Sequence, residues 1–423
     1  MGSTDPKKKT GKKRMTKEER AKKKRNRIIL IAVEVFVLLL MLIALYIVVL
    51  YGKIHHEDIK DEDIVINDGI DGENDINASD IATNEGLGGH MSGYRNVALF
   101  GVDARDKSLG KGNRTDTIIV ASINETTKEV KLVSVYRDTY LNIGNDSYNK
   151  ANSAYAKGGP LQAINMLNMN LDLNITDYVT VGWAGVADTI DALGGVEIDV
   201  DESEINHLNN YQVETSKSLG KSYNKVTSTG LQTLDGIQAV SYCRIRYTAG
   251  DDFKRTERQR EVIQAILDKA KKANIATLNK AANTIFEEIS TSMTFTEITE
   301  LLTDVASYSI GETDGFPAEQ YRATGDVHGA SCVMSTDLTA DVLSLHQFLF
   351  GENDYTPSST VQSISEDISN STYDTGESYD TEYDEYGYSQ DYSGYDSGYT
   401  DNSYGTGGYQ DSGYGDGSCA TRS

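Results

Sequence analysis

Four short stretches of this 423-residue chain place arginines and aspartates where a fold could bring them together. In GVDARDKSLGKGNRTDT one apolar run ends on Asp103 and the next opens on Asp116, with a Gly-rich loop, Arg105 and Arg114 between them. A third apolar run is followed by Arg137 and Asp138 in VYRDTY. RIRY places Arg244 and Arg246 two apart on what reads as a strand, so both side chains would leave one face. DFKRTERQ puts Arg255, Arg258 and Gln259 at i, i+3 and i+4, which is one face of a helix. Arginine forks grip phosphate oxygens two at a time and stay charged, while a pair of carboxylates can hold a Mg²⁺ that also takes phosphate oxygens. A ligand with two phosphates satisfies both halves. Any one pair alone would be an ordinary surface salt bridge, so the combination carries the reading. The patterns HExxH, CxxC, GxxxxGK[ST] and GxSxG do not occur and the six histidines are scattered, so zinc hydrolase, P-loop and serine hydrolase chemistry lose support.

The elements that must position these residues follow from periodicity. NVALFGVD (96–103), TDTIIVASIN (115–124) and EVKLVSVY (129–136) are β-branched runs separated by turn residues and predict strands, with ETTK as a hairpin between the last two. Helical spacing at Pro160–Met169 precedes a strand at Tyr178–Val181, a helix near Gly185–Leu193 and a strand at Val196–Val200. AVSYCRIRY (239–247) reads as a strand, then a long helix runs from about Lys254 to Ala273, with further helices to about Phe350. This order predicts an α/β (α+β) domain over 92–351: a central mixed β-sheet flanked by helices, an αβα sandwich.

The ends of the chain differ from this middle. The net charge is −24, yet residues 1–27 hold 13 Lys and Arg against Asp5, Glu18 and Glu19. Residues 28–51, IILIAVEVFVLLLMLIALYIVVLY, carry Glu34 as their single charge. At ~1.5 Å per residue they reach across a ~30 Å hydrocarbon core, and they predict a retained transmembrane helix. The basic residues before it hold 1–27 in the cytoplasm by the positive-inside rule, leaving the rest outside. That head has no aromatic interleaving or helix-turn-helix pattern, so nucleic acid is not expected as a partner. Residues 52–91, rich in Asp, Asn, Ile and Gly, read as an extracellular stalk. Residues 352–423 carry 15 Asp and Glu against Arg422 alone, with Tyr, Gly and Ser in units such as SGYDSGY, and read as a disordered acidic tail. Cys243, Cys332 and Cys419 are too few for a disulfide framework.

The residues that carry the chemistry also carry a resemblance. NVALFGVDAR, RTDTIIVASIN, LVSVYRDTY, KANSAYAKGG, DALGGVEIDV, LDGIQAVSYCRIRY and DDFKRTERQR, in this order after one apolar span, resemble a LytR-CpsA-Psr family protein, strongly over about 92–270. The resemblance implies a transferase at the outer face of the cell membrane of a Gram-positive-type bacterium. Such a protein attaches a teichoic acid, capsular or similar glycopolymer from a polyprenyl-pyrophosphate carrier to peptidoglycan, with Mg²⁺ (or Mn²⁺). It further implies that Asp103 and Asp116 ligate the metal. Arg114, Arg137, Arg244, Arg246, Arg255 and Gln259 would hold the pyrophosphate, with Arg258 and Asp138 in support. Asp103, Asp138, Arg137 and Arg244 are the candidates for the catalytic step. The chain departs from the family at Tyr136, where proline usually precedes Arg-Asp. Two alternatives stay open: a pyrophosphatase acting on the same lipid-linked glycan, and a membrane-bound transcriptional attenuator.

Overall fold

The computed structural model of the chain describes residues 41, 45, 48–49, 51–57, 59–67, 91–104, 109–246, 251–351 and 355–373. The basic head, most of the apolar stretch 28–51 and everything after 373 lie outside the described residues. Among the described residues no helix is long and apolar enough to cross a membrane.

Packed structure begins within the stretch expected to be a stalk. Strand β1 (His55–His56) lies beside a later strand, a short 3₁₀ turn follows at Asp61–Asp63, and Ile64 is buried in the main core. Strands β2 (Tyr94–Val102), β3 (Thr115–Asn124) and β4 (Glu129–Val135) form an antiparallel meander where the three apolar runs were read as strands. The small hairpin of β5 (Tyr140–Asn142) and β6 (Tyr148–Lys150) leads into α1 (Asn152–Leu171). That helix is broken at Gly159, whose φ of 72° and ψ of −160° are non-helical, and it restarts at Pro160, the residue from which helical spacing could be read. Then come β7 (Asp177–Gly182), α2 (Trp183–Leu193), β8 (Val196–Val200), α3 (Glu202–Leu219) and β9 (Gly230–Leu234).

The segment expected as a strand at 239–247 is instead α4 (Gly236–Arg244). A reciprocal capping box decides it: Asp235 accepts from Gln238 N at 2.9 Å, and the Gln238 side chain accepts from Asp235 N at 2.9 Å. Apolar residues at Ile237 and Val240 then share a buried face, which outweighs the β-branched composition. The chain continues through α5 (Asp251–Lys272), α6 (Ile275–Ile285), β10 (Ile289–Thr291), α7 (Phe295–Thr303) and β11 (Ser309–Phe316). A hairpin of β12 (Arg322–Val327) and β13 (Ala330–Ser335), α8 (Leu338–Phe350) and α9 (Ser359–Tyr373) complete it. The expectation of further helices after 273 did not include β10 to β13; SIGETDGF of β11 and RATGDV of β12 show no alternation of apolar and polar residues. Packing also runs past the boundary expected at 351, since Val361, Ile364 and Ile368 of α9 are buried in the main core.

The central sheet has the order β1-β10-β7-β2-β3-β4-β11 and mixes both pairings: β7 with β2 and β4 with β11 are parallel, while β3 runs antiparallel between its neighbours. Both faces are covered. Phe100, Ile118, Val120 and Val133 join the core beneath α1, α8 and α9, whereas Ile119, Ala121 and Leu132 pack with Ile263 of α5 on the other side. A second core gathers α2, α3, α4 and α5 around the ribbon of β8 and β9. Because β2, β7, β4 and β11 run in one direction, the residues after their C-terminal ends share one sheet edge.

Candidate active site

That edge collects most of the chemistry. Asp103 follows β2, Trp183 follows β7, and Arg137 and Asp138 follow β4. Asp116 belongs to the strand that starts there, and the register explains its placement. Gly101 pairs with Thr117 and Val102 with Thr115, so Asp116 is the extra residue of a β-bulge. A bulge re-aims its side chain out of the ladder, here toward the loop that carries Arg137. Gly101 permits the close approach, since a Cβ there would come 2.9 Å from the Thr117 side chain.

Arg137 is held at its backbone by Asn152 N donating to its carbonyl at 3.0 Å, and its Nη1 donates to Asp116 Oδ1 at 2.6 Å. Its Nε lies 3.5 Å from Asp138 Oδ2 and 3.7 Å from Asp252 Oδ2. Asp252, in the first turn of α5, is the hub: Arg246 Nε donates to it at 2.9 Å, and Arg255 reaches it with Nη1 at 3.1 Å and Nη2 at 3.2 Å. Lys150 Nζ closes the far side, 3.3 Å from Asp138 Oδ1.

The titration behaviour follows from this crowding. Burial pushes the Asp252 carboxyl up, but Arg255, Arg246 and Arg137 outweigh it and hold the group below the usual carboxylate value. Burial and Arg246 work against the charge on Arg137, and Asp138, Asp116 and Asp252 more than restore it. Arg255 ends below its ordinary value because burial, with repulsion from Arg137 and Arg246, exceeds the help from Asp252 and Asp116. Arg137 Nε, despite its carboxylate neighbours, and Arg255 Nε are buried without a hydrogen bond, as is Gln259 Oε1. Buried donors without acceptors are costly, and charge-assisted bonds to an anion's oxygens are one way to meet that cost.

The other expected ligands have different partners. Arg244 ends α4 and Arg246 lies beyond that helix, so they do not share a strand face. Arg244 stacks 3.8 Å from the centroid of Trp183, with Tyr211 at 5.4 Å, and donates to Thr215 Oγ1 and Glu214 Oε2, each at 2.9 Å. Nor do Arg255, Arg258 and Gln259 act as one face. Arg258 is 1 % exposed and pairs with Glu204 at 2.7 Å inside the second core, while Gln259 Nε2 donates to the Cys243 carbonyl at 3.5 Å. Arg114 is exposed on the loop before β3.

Asp252 and Lys150 were not singled out from the sequence. Asp252 had a signal, its i, i+3 spacing to Arg255 at a helix start. Lys150 had none, since tertiary pairing of β5 with β6 brings it to Asp138.

Asp103 immediately follows β2 and Asp116 is the bulge residue of the adjacent β3, and no group of three or more His, Cys, Asp or Glu able to hold a metal occurs among the described residues. Two carboxylates without thiol or imidazole fit a hard cation that completes its shell with water and phosphate oxygens. Arg137 occupies Asp116 Oδ1, and a carboxylate has lone pairs left for a metal.

Comparison with known proteins gives a consistent picture. A profile of the LytR_cpsA_psr family matches residues 56–344. A protein of Enterococcus faecalis named polyisoprenyl-teichoic acid–peptidoglycan teichoic acid transferase TagU is 33% identical over 214 residues, covering 50% of this chain and 65% of its own. Its namesake from Oceanobacillus iheyensis is 34% identical over 221 residues, covering 50% of this chain and 62% of its own. The chain thus spans somewhat less than two thirds of the length of these relatives. The crystal structure of protein gbs0355 from Streptococcus agalactiae superposes with a TM-score of 0.53 at 23% identity, over 63% of this chain and 91% of that one, and shows the same fold.

Proposed function

The chain belongs to the LytR-CpsA-Psr family, and from that premise we propose that it is a membrane-anchored phosphotransferase working outside the cytoplasm. It moves a glycopolymer, a teichoic acid or capsular polysaccharide, from a polyprenyl-pyrophosphate carrier to peptidoglycan. The observation that carries this reading is the cluster of Arg137, Arg246 and Arg255 around Asp252, with Arg137 Nε and Arg255 Nε buried without a hydrogen bond and Arg137 bonded to Asp116. The printed names of the relatives at 33% and 34% identity support the donor and acceptor classes.

In this reading a hydroxyl oxygen of peptidoglycan attacks the phosphorus that bears the glycan. The bond between that phosphorus and the bridging oxygen breaks, and polyprenyl phosphate leaves with the electron pair. The hydroxyl proton passes to a carboxylate, for which Asp103 and Asp138 are the candidates, and the product is a phosphodiester. Such transfers depend mainly on positioning and on neutralising charge on the phosphate oxygens. Arg137, Arg246 and Arg255 supply fixed cations, and Asp252 keeps them oriented before the donor arrives. Mg²⁺ (or Mn²⁺) bound by Asp103 and Asp116 would add positive charge at the same oxygens.

Placement at the outer face of the cell membrane rests on the apolar stretch 28–51 behind its basic head. Met41, Leu45, Val48 and Val49 within it are exposed by 67%, 59%, 57% and 54%, as lipid-facing side chains would be. The test is incubation of the full chain in detergent with a synthetic polyprenyl-pyrophosphate glycan, peptidoglycan and Mg²⁺, followed by mass analysis. Peptidoglycan gaining the mass of a phosphoglycan is expected; free phosphoglycan with unmodified peptidoglycan would make the protein a hydrolase.

A further inference from the structure

Behind the arginine cluster, three side chains from distant segments meet. The Tyr136 ring approaches Phe253 edge-on, with centroids 4.7 Å apart and planes at 75°. Arg322, the first residue of β12, lies 3.7 Å from the Phe253 centroid and donates from Nη1 to Tyr136 Oη at 2.8 Å. Tyr136 immediately precedes Arg137, and Phe253 immediately follows Asp252. Each arm of this clamp is therefore one residue from one member of the Arg137–Asp252 contact. The same hairpin makes a second tie, because Val333 N donates to the Asp138 carbonyl at 2.9 Å. Room for the phenol comes from Gly315 on β11, where a Cβ would stand 1.9 Å from Tyr136 Oη.

We propose that the β12–β13 hairpin is a positioning element of the anion site, with Arg322, Tyr136 and Phe253 setting the separation of Arg137 from Asp252. This rests on reading the arginine cluster as the pyrophosphate site. Arg322 reaches the site through its neighbours: its charge is spread over an aromatic face and a phenol oxygen, 2.8 Å from the latter. A guanidinium that binds phosphate must be held to within a fraction of an ångström, and loss of such supporting contacts typically costs ~10- to 100-fold in related settings.

The test uses the full chain in detergent, titrated with inorganic pyrophosphate and Mg²⁺ by calorimetry. Tyr136→Phe keeps the ring and removes the bond to Arg322; Arg322→Gln removes both contacts; Gly315→Ala drives a methyl into the phenol. Arg322→Gln is expected to weaken binding by ~10-fold and Tyr136→Phe by a smaller factor, with unfolding midpoints monitored in parallel. A general weakening of the fold would not depend on Arg137, so the deciding measurement is the coupling. In an Arg137→Gln background, adding Arg322→Gln should cost less than ~2-fold more. Unchanged affinity in both Tyr136→Phe and Arg322→Gln, or a full additive loss on top of Arg137→Gln, overturns the proposal while leaving the site reading intact. Unchanged affinity in Arg137→Gln alone overturns the site reading and this proposal together.

Discussion

Two groups of arginines in neighbouring motifs of this chain have opposite fates. Arg137, Arg246 and Arg255 converge on Asp252, with Arg137 Nε and Arg255 Nε buried without a hydrogen bond, whereas Arg258 pairs with Glu204 inside the second core and Arg244 engages Trp183, Thr215 and the partly exposed Glu214. Arg258 meets Glu204 and the Ile245 carbonyl, and Arg244 is stacked on Trp183 and bonded to Thr215 and Glu214. Membership of one motif therefore does not give two arginines the same partners. What separates them in the structure is the company each guanidinium keeps: a shared carboxylate, Asp252, for the first group and separate partners for the second.

The largest effect that would test this division is on turnover. Arg255→Ala and Arg137→Ala should each lower glycopolymer transfer by ~10²–10³-fold, the scale of removing one preorganised charge donor. Transfer within a few-fold of the parent in both variants would break the division from the active-site side.

Arg258→Met should act on stability instead. Leaving Glu204 buried and unpaired costs ~3–5 kcal/mol, to be read from denaturant unfolding, and adding Glu204→Leu should recover much of it. If Arg258→Met folds with parental stability and loses pyrophosphate binding, the second group is not structural.

A smaller contrast appears in pH dependence and compares two buried carboxylates. Asp252, held low by its arginines, favours the folded state above the usual carboxylate pKa of ~3.9, and that contribution is lost as pH falls through its lower folded value. Asp341, wholly buried without a cation, is raised by desolvation to about 7. Its proton is bound more tightly in the folded state, so its contribution is full below pH ~4 and lost as pH rises toward 7. Asp341→Asn should flatten the fall in stability over that range, measured by urea unfolding at a series of pH values. A parallel fall in parent and variant would contradict the assignment.

Much of the frame was legible because short β-branched runs bounded by turns have few other solutions. The strands at 115–124 and 196–200 lie where they were read, and the hairpin at ETTK joins antiparallel partners. The run 239–247 misled because its composition is strand-like while its start, Asp235 with Gln238, is a helix cap. Arg137 and Asp116 could be picked out at strand ends, Arg246 by its spacing to Arg244 and Arg255 by its spacing to Arg258 and Gln259. The central role of Asp252 could not, because it arises from a turn, a helix start and a third loop meeting in space. The β12–β13 hairpin, whose first strand RATGDV is polar and contains glycine, was not read from the sequence, yet it touches the loop that carries Arg137 and Asp138.

The central claim is most directly tested by two arginines only two residues apart. Transfer from a polyprenyl-pyrophosphate glycan to peptidoglycan should be measured for Arg246→Ala and Arg244→Ala side by side, with unfolding midpoints for both. A loss of at least ~10²-fold is expected for Arg246→Ala and of less than ~10-fold for Arg244→Ala. Abolished transfer in a stably folded Arg244→Ala, with Arg246→Ala near parental activity, would contradict the claim.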